Sequence, residues 1–306
     1  MTHYASNVTR PWPQEIDDFA FRIGSNVKLT QGPGGNVSFK RGNELWIKAS
    51  GTQLKDARVM PIFVGLDLGE TRRHIEEGIE LFPNRFGNSD VGLRASIETS
   101  MHAQIEAPFV AHVHSVGSVS MSVLIDESLA INSASHYCKV SYVPYVRPGL
   151  GLAAAFKDSV DTKSRAAILG NHGLTVWGDS AQECIEILNT LEGIWVNQFD
   201  LVNLETNTTG SNWRKVLAQG ILVPDEVVFL GEYPFRNLTP NLSAKNGLSD
   251  LANLNLGRSA WLEEFVEVLE LVAKNVNDPN KVKYLDQANI DQLLNWEAEK
   301  YRQSRQ

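Results

Sequence analysis

The stretch from residue 94 to residue 114, RASIETSMHAQIEAPFVAHVH, constrains this chain more than any other part of its sequence. It ends in His112-Val113-His114. Side chains alternate between the two faces of an extended strand, so these two imidazoles point the same way. The spacing therefore predicts a strand on which both histidines reach one ion.

A carboxylate precedes this strand. Glu98 and His102 are four residues apart in a segment predicted to be helical, 95–107, so they share one helix face. A further histidine, His172, follows much later in ILGNHGLTVWG. A carboxylate on a helix, two histidines on the next strand and one distant histidine would make a metal site with room for substrate. Three neutral imidazoles suit Zn²⁺ or a similar divalent ion such as Mn²⁺ or Co²⁺.

Two of these residues keep an alternative interpretation. Glu98 either acts on an ion or is an ordinary surface glutamate of a helix. His102 either orients a ligand of the site or packs in the core, and the sequence favours packing. A His-x-His strand alone is usually not a metal site, but Glu98 and His172 in the same order along the chain favour one.

A glycine-rich hairpin is predicted near the start of the chain, in LTQGPGGNVSFKRGNELWIKASG. One strand begins at Val37 and the returning strand at Leu45, on either side of a turn at 41–43. The preceding glycines tolerate positive φ and allow a ligand to approach the backbone; they are Gly32, Gly34 and Gly35. On composition alone, the simplest interpretation is a common glycine-rich turn.

The remaining elements follow from hydrophobic periodicity and turn residues. Predicted helices cover 15–24, 152–160, 180–203, 261–274 and 290–301. Predicted strands cover 57–66, 109–114, 142–147, 166–169, 174–177 and 223–230. Residues 117–125 fit a helix or a strand, and no element is assigned to 67–93 or 126–142.

Glu98, the His112-x-His114 strand and the Asn171-His172-Gly173 turn, in this order, resemble the class II aldolase/adducin family, best known for zinc-dependent aldolases of sugar 1-phosphates. RASIETSMHA, PYVRPGLGLA and PDEVVFLG are further similar to the aldolase half of bifunctional rhamnulose-1-phosphate aldolase/alcohol dehydrogenases. The resemblance implies a three-layer α/β/α domain over 15–205 around a largely antiparallel sheet. Residues 206–306 would form a C-terminal helical extension that packs on this domain or at a subunit contact.

The resemblance also implies roles for individual residues. His112, His114, His172 and Glu98 would hold the metal, and Glu98 would also transfer protons. Glycine amides and short side chains form an anion nest for the substrate's phosphate. The implied phosphate-binding residues are Gly35, Asn36, Ser50, Gly51 and Ser96. Aldolases of the family often carry a second serine beside the glutamate, whereas this chain has Ile97 there. This difference implies weaker phosphate binding or a different substrate.

The implied activity is metal-dependent retro-aldol cleavage of a phosphorylated ketose to dihydroxyacetone phosphate and an aldehyde. The metal acts as a Lewis acid and Glu98 as the proton-transfer group. A first rival is an epimerase or a decarboxylase of a sugar or sugar-acid phosphate, since these use the same three histidines. A second rival is a non-catalytic adducin-like scaffold, which is expected to lack the intact histidine set that this chain retains.

The general acid for the aldehyde oxygen stays open at this level. In fuculose-phosphate aldolase a tyrosine of the neighbouring subunit serves. Tyr137 lies in roughly the corresponding part of the chain, but the spacing differs by several residues, and Tyr142 and Tyr145 are rivals.

Composition excludes some partners. A net charge of −8 argues against nucleic acid, which demands clustered basic residues. No stretch is apolar for the 18 or so residues that span a bilayer, and the start lacks a signal-peptide pattern. Two cysteines, Cys138 and Cys184, indicate a reducing, cytoplasmic setting. The resemblance implies a homotetramer acting on a small sugar phosphate.

Overall fold

A single seven-stranded sheet lies at the centre of the part of the chain that the computed structural model describes, residues 10–86, 92–206, 212–232, 234–236, 260–296 and 300. Its strands are β1 (Asn36–Arg41), β2 (Glu44–Lys48), β3 (Phe63–Asp67), β4 (Phe109–Val113), β5 (Val140–Val143), β6 (Ala166–Leu169) and β7 (Gly173–Gly178). They are ordered β3-β2-β1-β4-β7-β6-β5, and only β5 and β6 pair in parallel. The expectation of a largely antiparallel sheet is confirmed.

Helices cover both faces of the sheet. They are α1 (Gln14–Gly24), α2 (Leu68–Glu76), α3 (Thr99–Gln104), α4 (Val116–Ser122), α5 (Glu127–Ala134), α6 (Leu150–Ser159), α7 (Ala181–Thr206), α8 (Trp213–Gln219), α9 (Pro224–Leu230), α10 (Ala260–Val276) and α11 (Gln287–Asn295). None of these described helices combines the length and the apolar character needed to cross a bilayer.

Strand alternation divides the apolar side chains into cores on opposite faces of the sheet. In β4, Phe109, Ala111 and Val113 join the larger core beneath α1, α4, α5 and α7. Val110 joins a smaller core beneath α3 and α6, and α2 covers a third cluster on the same side. The predicted three-layer α/β/α arrangement is therefore confirmed. His112 shares the parity of Val110, so its imidazole lies on the α3 side.

The segment 223–230, predicted as a strand, is helix α9. Pro224 takes the first helical position, where a missing N–H costs nothing. The carboxylates of Asp225 and Glu226 lie in the first turn, where the helix dipole favours negative charge. The apolar run that follows has no period that separates a short strand from a buried helix, and this caused the wrong prediction.

Other differences concern helices that were not predicted and the ends of predicted elements. Helices α2 and α5 lie where no element is assigned, and each begins at an aspartate, Asp67 or Asp126, whose side chain accepts a backbone N–H of the first turn. The strand predicted over 57–66 is confined to Phe63–Asp67, after the proline at position 61. Segment 117–125 is mostly helix, since α4 covers Val116–Ser122.

The C-terminal segment packs on the sheet domain. Phe229, Trp261 and Phe265 belong to the same core as α4 and α7, and α10 packs against both helices. The Phe229 and Trp261 ring centroids are 5.0 Å apart, with the rings at 74°. The division at residue 205 stays a prediction, and parts of the segment, 207–211 and 237–259, lie outside the described residues.

Glu226 gives a test of this packing. Burial raises the pKa of its carboxyl from 4.5 to about 8. The folded protein therefore holds a proton that the unfolded chain releases between these values, so stability falls as pH rises through this window. We expect Glu226→Gln to remove a slope of up to about 1.4 kcal/mol per pH unit between about pH 5 and 8.

The measurement is urea unfolding of the metal-free protein at several pH values. Glu15→Gln is the control, because Glu15 is an exposed glutamate of α1 and should leave the slope unchanged. Parallel pH profiles for the wild type and Glu226→Gln would contradict this account.

Candidate metal centre

His112 lies in the middle of a row of three side chains across the sheet. The strand register places Asn36 of β1 and Thr175 of β7 directly opposite His112 of β4. Side chains directly opposite in neighbouring strands lie on the same face of the sheet. His112 Nδ1 accordingly lies 3.2 Å from Thr175 Oγ1. His114 follows two residues later, just beyond the end of β4, and faces the same side.

The turn between β6 and β7 brings His172 to the two strand histidines. Asn171 adopts a left-handed conformation there, with φ 49°. Gly173 permits a close approach to β4, since a Cβ at this position would lie 2.3 Å from the Val113 carbonyl oxygen. As a result, the His172 ring centroid lies 4.8 Å from that of His112 and 5.0 Å from that of His114.

Glu98 approaches from the facing layer. The helix predicted over 95–107 is only Thr99–Gln104, and Glu98 occupies its N-cap position. Asn36 Nδ2 donates to Glu98 Oε2 at 2.6 Å. The other oxygen, Oε1, forms no hydrogen bond and lies 3.4 Å from His112 Nε2 and 3.5 Å from His172 Nε2. The carboxylate is thus buried and aimed at the histidines.

A hydrogen-bond partner assigns the tautomer of His114. His114 Nδ1 lies 2.8 Å from Asp225 Oδ2, and a carboxylate accepts, so this nitrogen carries the proton. His112 Nδ1 lies 3.2 Å from Thr175 Oγ1, a hydroxyl that can donate or accept and that also contacts Met101 Sδ at 3.7 Å. His114 Nε2 therefore carries a lone pair, and it lies 2.9 Å from His112 Nε2. When both rings are protonated at Nδ1, the two Nε2 lone pairs face each other and favour a cation between them.

The cluster fits a divalent ion. The ligand atoms of His112, His114 and His172 all lie within 4.8 Å of one another, and all three residues are buried. Ligands about 2.0–2.1 Å from a tetrahedral zinc are about 3.3 Å from each other, close to the distances from Glu98 Oε1 to His112 and His172. Burial lowers the pKa of His172 to about 3, and Glu98 opposes this only in part. The ring is therefore neutral near pH 7, as a ligand must be.

A small cavity of about 30 Å³ opens beside Glu98, His114 and His172. It is also lined by every residue for which the family resemblance implies phosphate binding: Gly35, Asn36, Ser50, Gly51 and Ser96. A second cavity, of about 480 Å³, shares Ser50, Ser96 and Ile97 with the first. The two cavities are therefore neighbours along one wall.

Asn36 and Ser96 have partners within the protein. Asn36 Nδ2 donates to Ser96 Oγ at 3.2 Å as well as to Glu98, so both of its N–H bonds are used. Ser96 Oγ also accepts from the Glu98 backbone N–H at 3.3 Å. In this arrangement the two residues fix the position of the glutamate.

His102 lies behind the cluster rather than in it. Its Nδ1 is 2.7 Å from Ser38 Oγ of β1, and the ring is fully buried. Burial holds its pKa well below the usual value, and nearby Lys40 adds to this effect. These contacts favour packing between α3 and the sheet over a role at the ion.

Two buried residues at the cavity, Lys48 and Asp225, are not among those expected from the sequence. Lys48 is 2% exposed and donates from Nζ to the carbonyls of Pro33 and Thr52. The sequence gives no signal for Lys48, because its burial depends on the loop carbonyls around its ammonium. It gives none for Asp225 either, since this residue is 111 positions from His114.

None of the three candidate tyrosines is among the described residues that line the small cavity. Tyr137 is 40% exposed. Tyr142 packs against the larger core and Tyr145 against a cluster around α9 and α11. Burial raises the pKa of Tyr142. The general acid stays unassigned within this chain.

Fold and site together define a mixed α/β protein that carries a candidate metal centre of three histidines and a glutamate on one face of its sheet. The sequence matches the family described as class II aldolase and adducin N-terminal domain over residues 20–196. Because the match spans more than half of the 306 residues, the chain belongs to this family. Comparison with curated proteins gave no match.

Solved structures show the same fold. The N-terminal class II aldolase domain of a conserved protein from Thermoplasma acidophilum is 21% identical, with a TM-score of 0.51 over 64% of this chain and 98% of that chain. A sugar-phosphate aldolase from Thermotoga maritima is 15% identical, with a TM-score of 0.50 over 62% of this chain and 94% of that chain. Asp225 lies beyond the family match, which ends at residue 196.

The close approach of the glycine loop to β4 gives a prediction. Gly35 has φ 67°, and a Cβ there would lie 2.7 Å from Thr30 Cγ2 and 2.8 Å from the His112 carbonyl oxygen. Gly42 has φ 58° but nothing within 4 Å. We expect Gly42→Ala to cost about 1 kcal/mol of stability for the left-handed backbone. Gly35→Ala should cost a further ~1–3 kcal/mol for the clash.

Chemical unfolding of both variants in the same buffer measures the difference. Equal losses for the two variants would show that the backbone of the loop does not press on β4 at His112.

Proposed function

We propose that this protein is a divalent-metal-dependent aldolase that cleaves a phosphorylated ketose to dihydroxyacetone phosphate and an aldehyde. The single observation that carries the proposal is the buried group of His112, His114 and His172, whose ligand atoms lie within 4.8 Å of one another beside Glu98 Oε1. Members of the family to which the chain belongs are usually enzymes. In the proposal His112, His114, His172 and Glu98 hold the ion.

When bound, a divalent ion supplies Lewis-acid polarisation of the substrate's carbonyl oxygen. Glu98 carries the proton chemistry. Its Oε2 is anchored by Asn36, so Oε1 faces the reacting side. Substrate would displace Glu98 from the ion, and the freed carboxylate would take up a proton from solvent. Breaking the carbon–carbon bond leaves the electron pair on the carbon next to the carbonyl, and Glu98 gives that carbon this proton. The substrate hydroxyl that becomes the aldehyde carbonyl loses its proton to the group left unassigned above, which acts as a base in cleavage and as an acid in the reverse direction.

Anion binding is assigned to the polar residues that line the small cavity together with the histidines. The chain carries a net charge of −8, so a phosphate needs local positive charge and amide donors. The buried Lys48 ammonium lines the small cavity together with Ser50 and Gly51. The neighbouring cavity of about 480 Å³ accommodates the remainder of a sugar phosphate. Its wall includes Ile97, an apolar side chain at the position where aldolases of the family often carry a serine.

The proposal includes Zn²⁺ as the resident ion, with Mn²⁺ and Co²⁺ as alternatives, a cytoplasmic location and a homotetramer. The geometry of three neutral nitrogens and one carboxylate suits a zinc site with room for substrate.

A substrate panel tests the reaction. The metal-loaded protein is mixed with a series of ketose phosphates, and released dihydroxyacetone phosphate is trapped with a coupled dehydrogenase. We expect release from at least one ketose phosphate and none after chelation. Interconversion of isomers, or release of carbon dioxide, without dihydroxyacetone phosphate would replace the aldolase with an epimerase or a decarboxylase.

Two substitutions separate binding of the ion from proton transfer. Glu98→Gln keeps the three histidines, so we expect one metal per chain but a kcat about 10²–10⁴-fold lower, since a positioned proton-transfer group contributes this much. His114→Ala removes a ligand and should lose the metal and all activity. Metal analysis and steady-state kinetics measure both effects.

Matched controls are Glu106→Gln and His136→Ala, because the Glu106 side chain is 83% exposed and His136 is also exposed. Both controls should behave as wild type. A Glu98→Gln variant with near wild-type turnover would show that its assigned role is wrong.

A further inference from the structure

The C-terminal segment reaches the metal centre through one carboxylate. Asp225 lies in the first turn of α9 and is 4% exposed. Its Oδ2 is 2.8 Å from His114 Nδ1. Of the other two rings, His112 contacts the Thr175 hydroxyl through Nδ1 at 3.2 Å, and His172 Nδ1 makes no hydrogen bond. The three rings therefore differ in what holds them.

We propose that Asp225 is a positioning residue of the metal centre, which fixes His114 in the tautomer protonated at Nδ1 and aims its Nε2 at the ion. This inference rests on the proposed function. A carboxylate at the far nitrogen orients the imidazole and prevents the ring from turning away. It also adds negative charge: Glu98 and Asp225 together balance the two positive charges of a divalent ion among neutral imidazoles.

The fold holds Asp225 in place from several sides. Phe229, one turn further along α9, packs between Trp261 and Phe265 in the main core. Asn171, next to His172, donates from Nδ2 to the carbonyl of Leu222 at 2.9 Å, just before α9 begins. The position of the carboxylate is therefore tied both to the core and to the turn that carries a second histidine.

The glycine loop leaves space for this contact. A Cβ on Gly34 would lie 3.0 Å from Asp225 Oδ2 and 3.2 Å from His114 Nδ1. Any side chain at residue 34 would therefore press on the hydrogen bond itself. The absence of a side chain at this point is explained by the approach of the carboxylate to the ring.

The test compares zinc affinity in the full-length proteins. Asp225→Asn keeps the size of the side chain but removes its charge, and we expect zinc to bind about 10–100-fold more weakly. Affinity is measured by competition with a chromogenic chelator. Glu226→Gln is the matched control, because it changes the neighbouring carboxyl of α9, which accepts from the Leu222 backbone N–H rather than from the site. The control should bind zinc as the wild type does.

Two readouts separate positioning from a general loss of structure. The absorption bands of Co²⁺-substituted protein should shift in Asp225→Asn and not in Glu226→Gln. Nitrogen NMR of the metal-free wild type should show His114 protonated at Nδ1, and this needs no variant to fold. The inference alone would be overturned if the wild type bound zinc and Asp225→Asn matched it in zinc affinity and in Co²⁺ spectrum. A His114 ring protonated at Nε2 would overturn it as well. A wild type that takes up no metal would overturn the proposed function and, with it, this inference.

Discussion

Two buried imidazole nitrogens, His112 Nε2 and His114 Nε2, face each other 2.9 Å apart, and the rest of the site is arranged around them. Polar groups removed from water must be compensated. The protein holds both rings from behind, through Thr175 and Asp225, so their Nε2 atoms stay directed at one space. A cation is the partner that this geometry favours, and Glu98 and His172 surround the same space.

Much of the site follows from local sequence rules. The period of two along β4 places His112 and His114 on one face, and the same period sends Phe109, Ala111 and Val113 into the opposite core. The sequence order of Glu98 and His172 then completes the cluster. The sheet's antiparallel character and its helical cover were expected from the resemblance to the class II aldolase/adducin family, whereas the periods predict only the individual strands and helices.

Long-range contacts were not predictable from these rules. Asp225 meets His114 across 111 positions, and the pairing depends on where α9 docks. The same segment was predicted as a strand, and a strand would have aimed its carboxylates in alternate directions. Lys48 is a second example. Its strand was correctly predicted, but the burial of its ammonium depends on the loop carbonyls of Pro33 and Thr52.

The glycine loop has two functions in this structure. Gly35 lines the small cavity, as expected for an anion site. Gly32 and Gly34, by contrast, make room for the C-terminal segment, since a Cβ on Gly32 would lie 2.4 Å from the Trp261 ring. The segment beyond the family match thus contacts the same loop that borders the site.

X-ray absorption at the zinc edge of the zinc-loaded protein tests the central claim most directly. The account predicts a first shell of about 2.0–2.1 Å that contains three imidazole nitrogens, with the outer-shell scattering typical of histidine rings. That scattering should drop by one imidazole in His172→Ala. A zinc shell made of water and carboxylate oxygens, unchanged by loss of His172, would contradict the account.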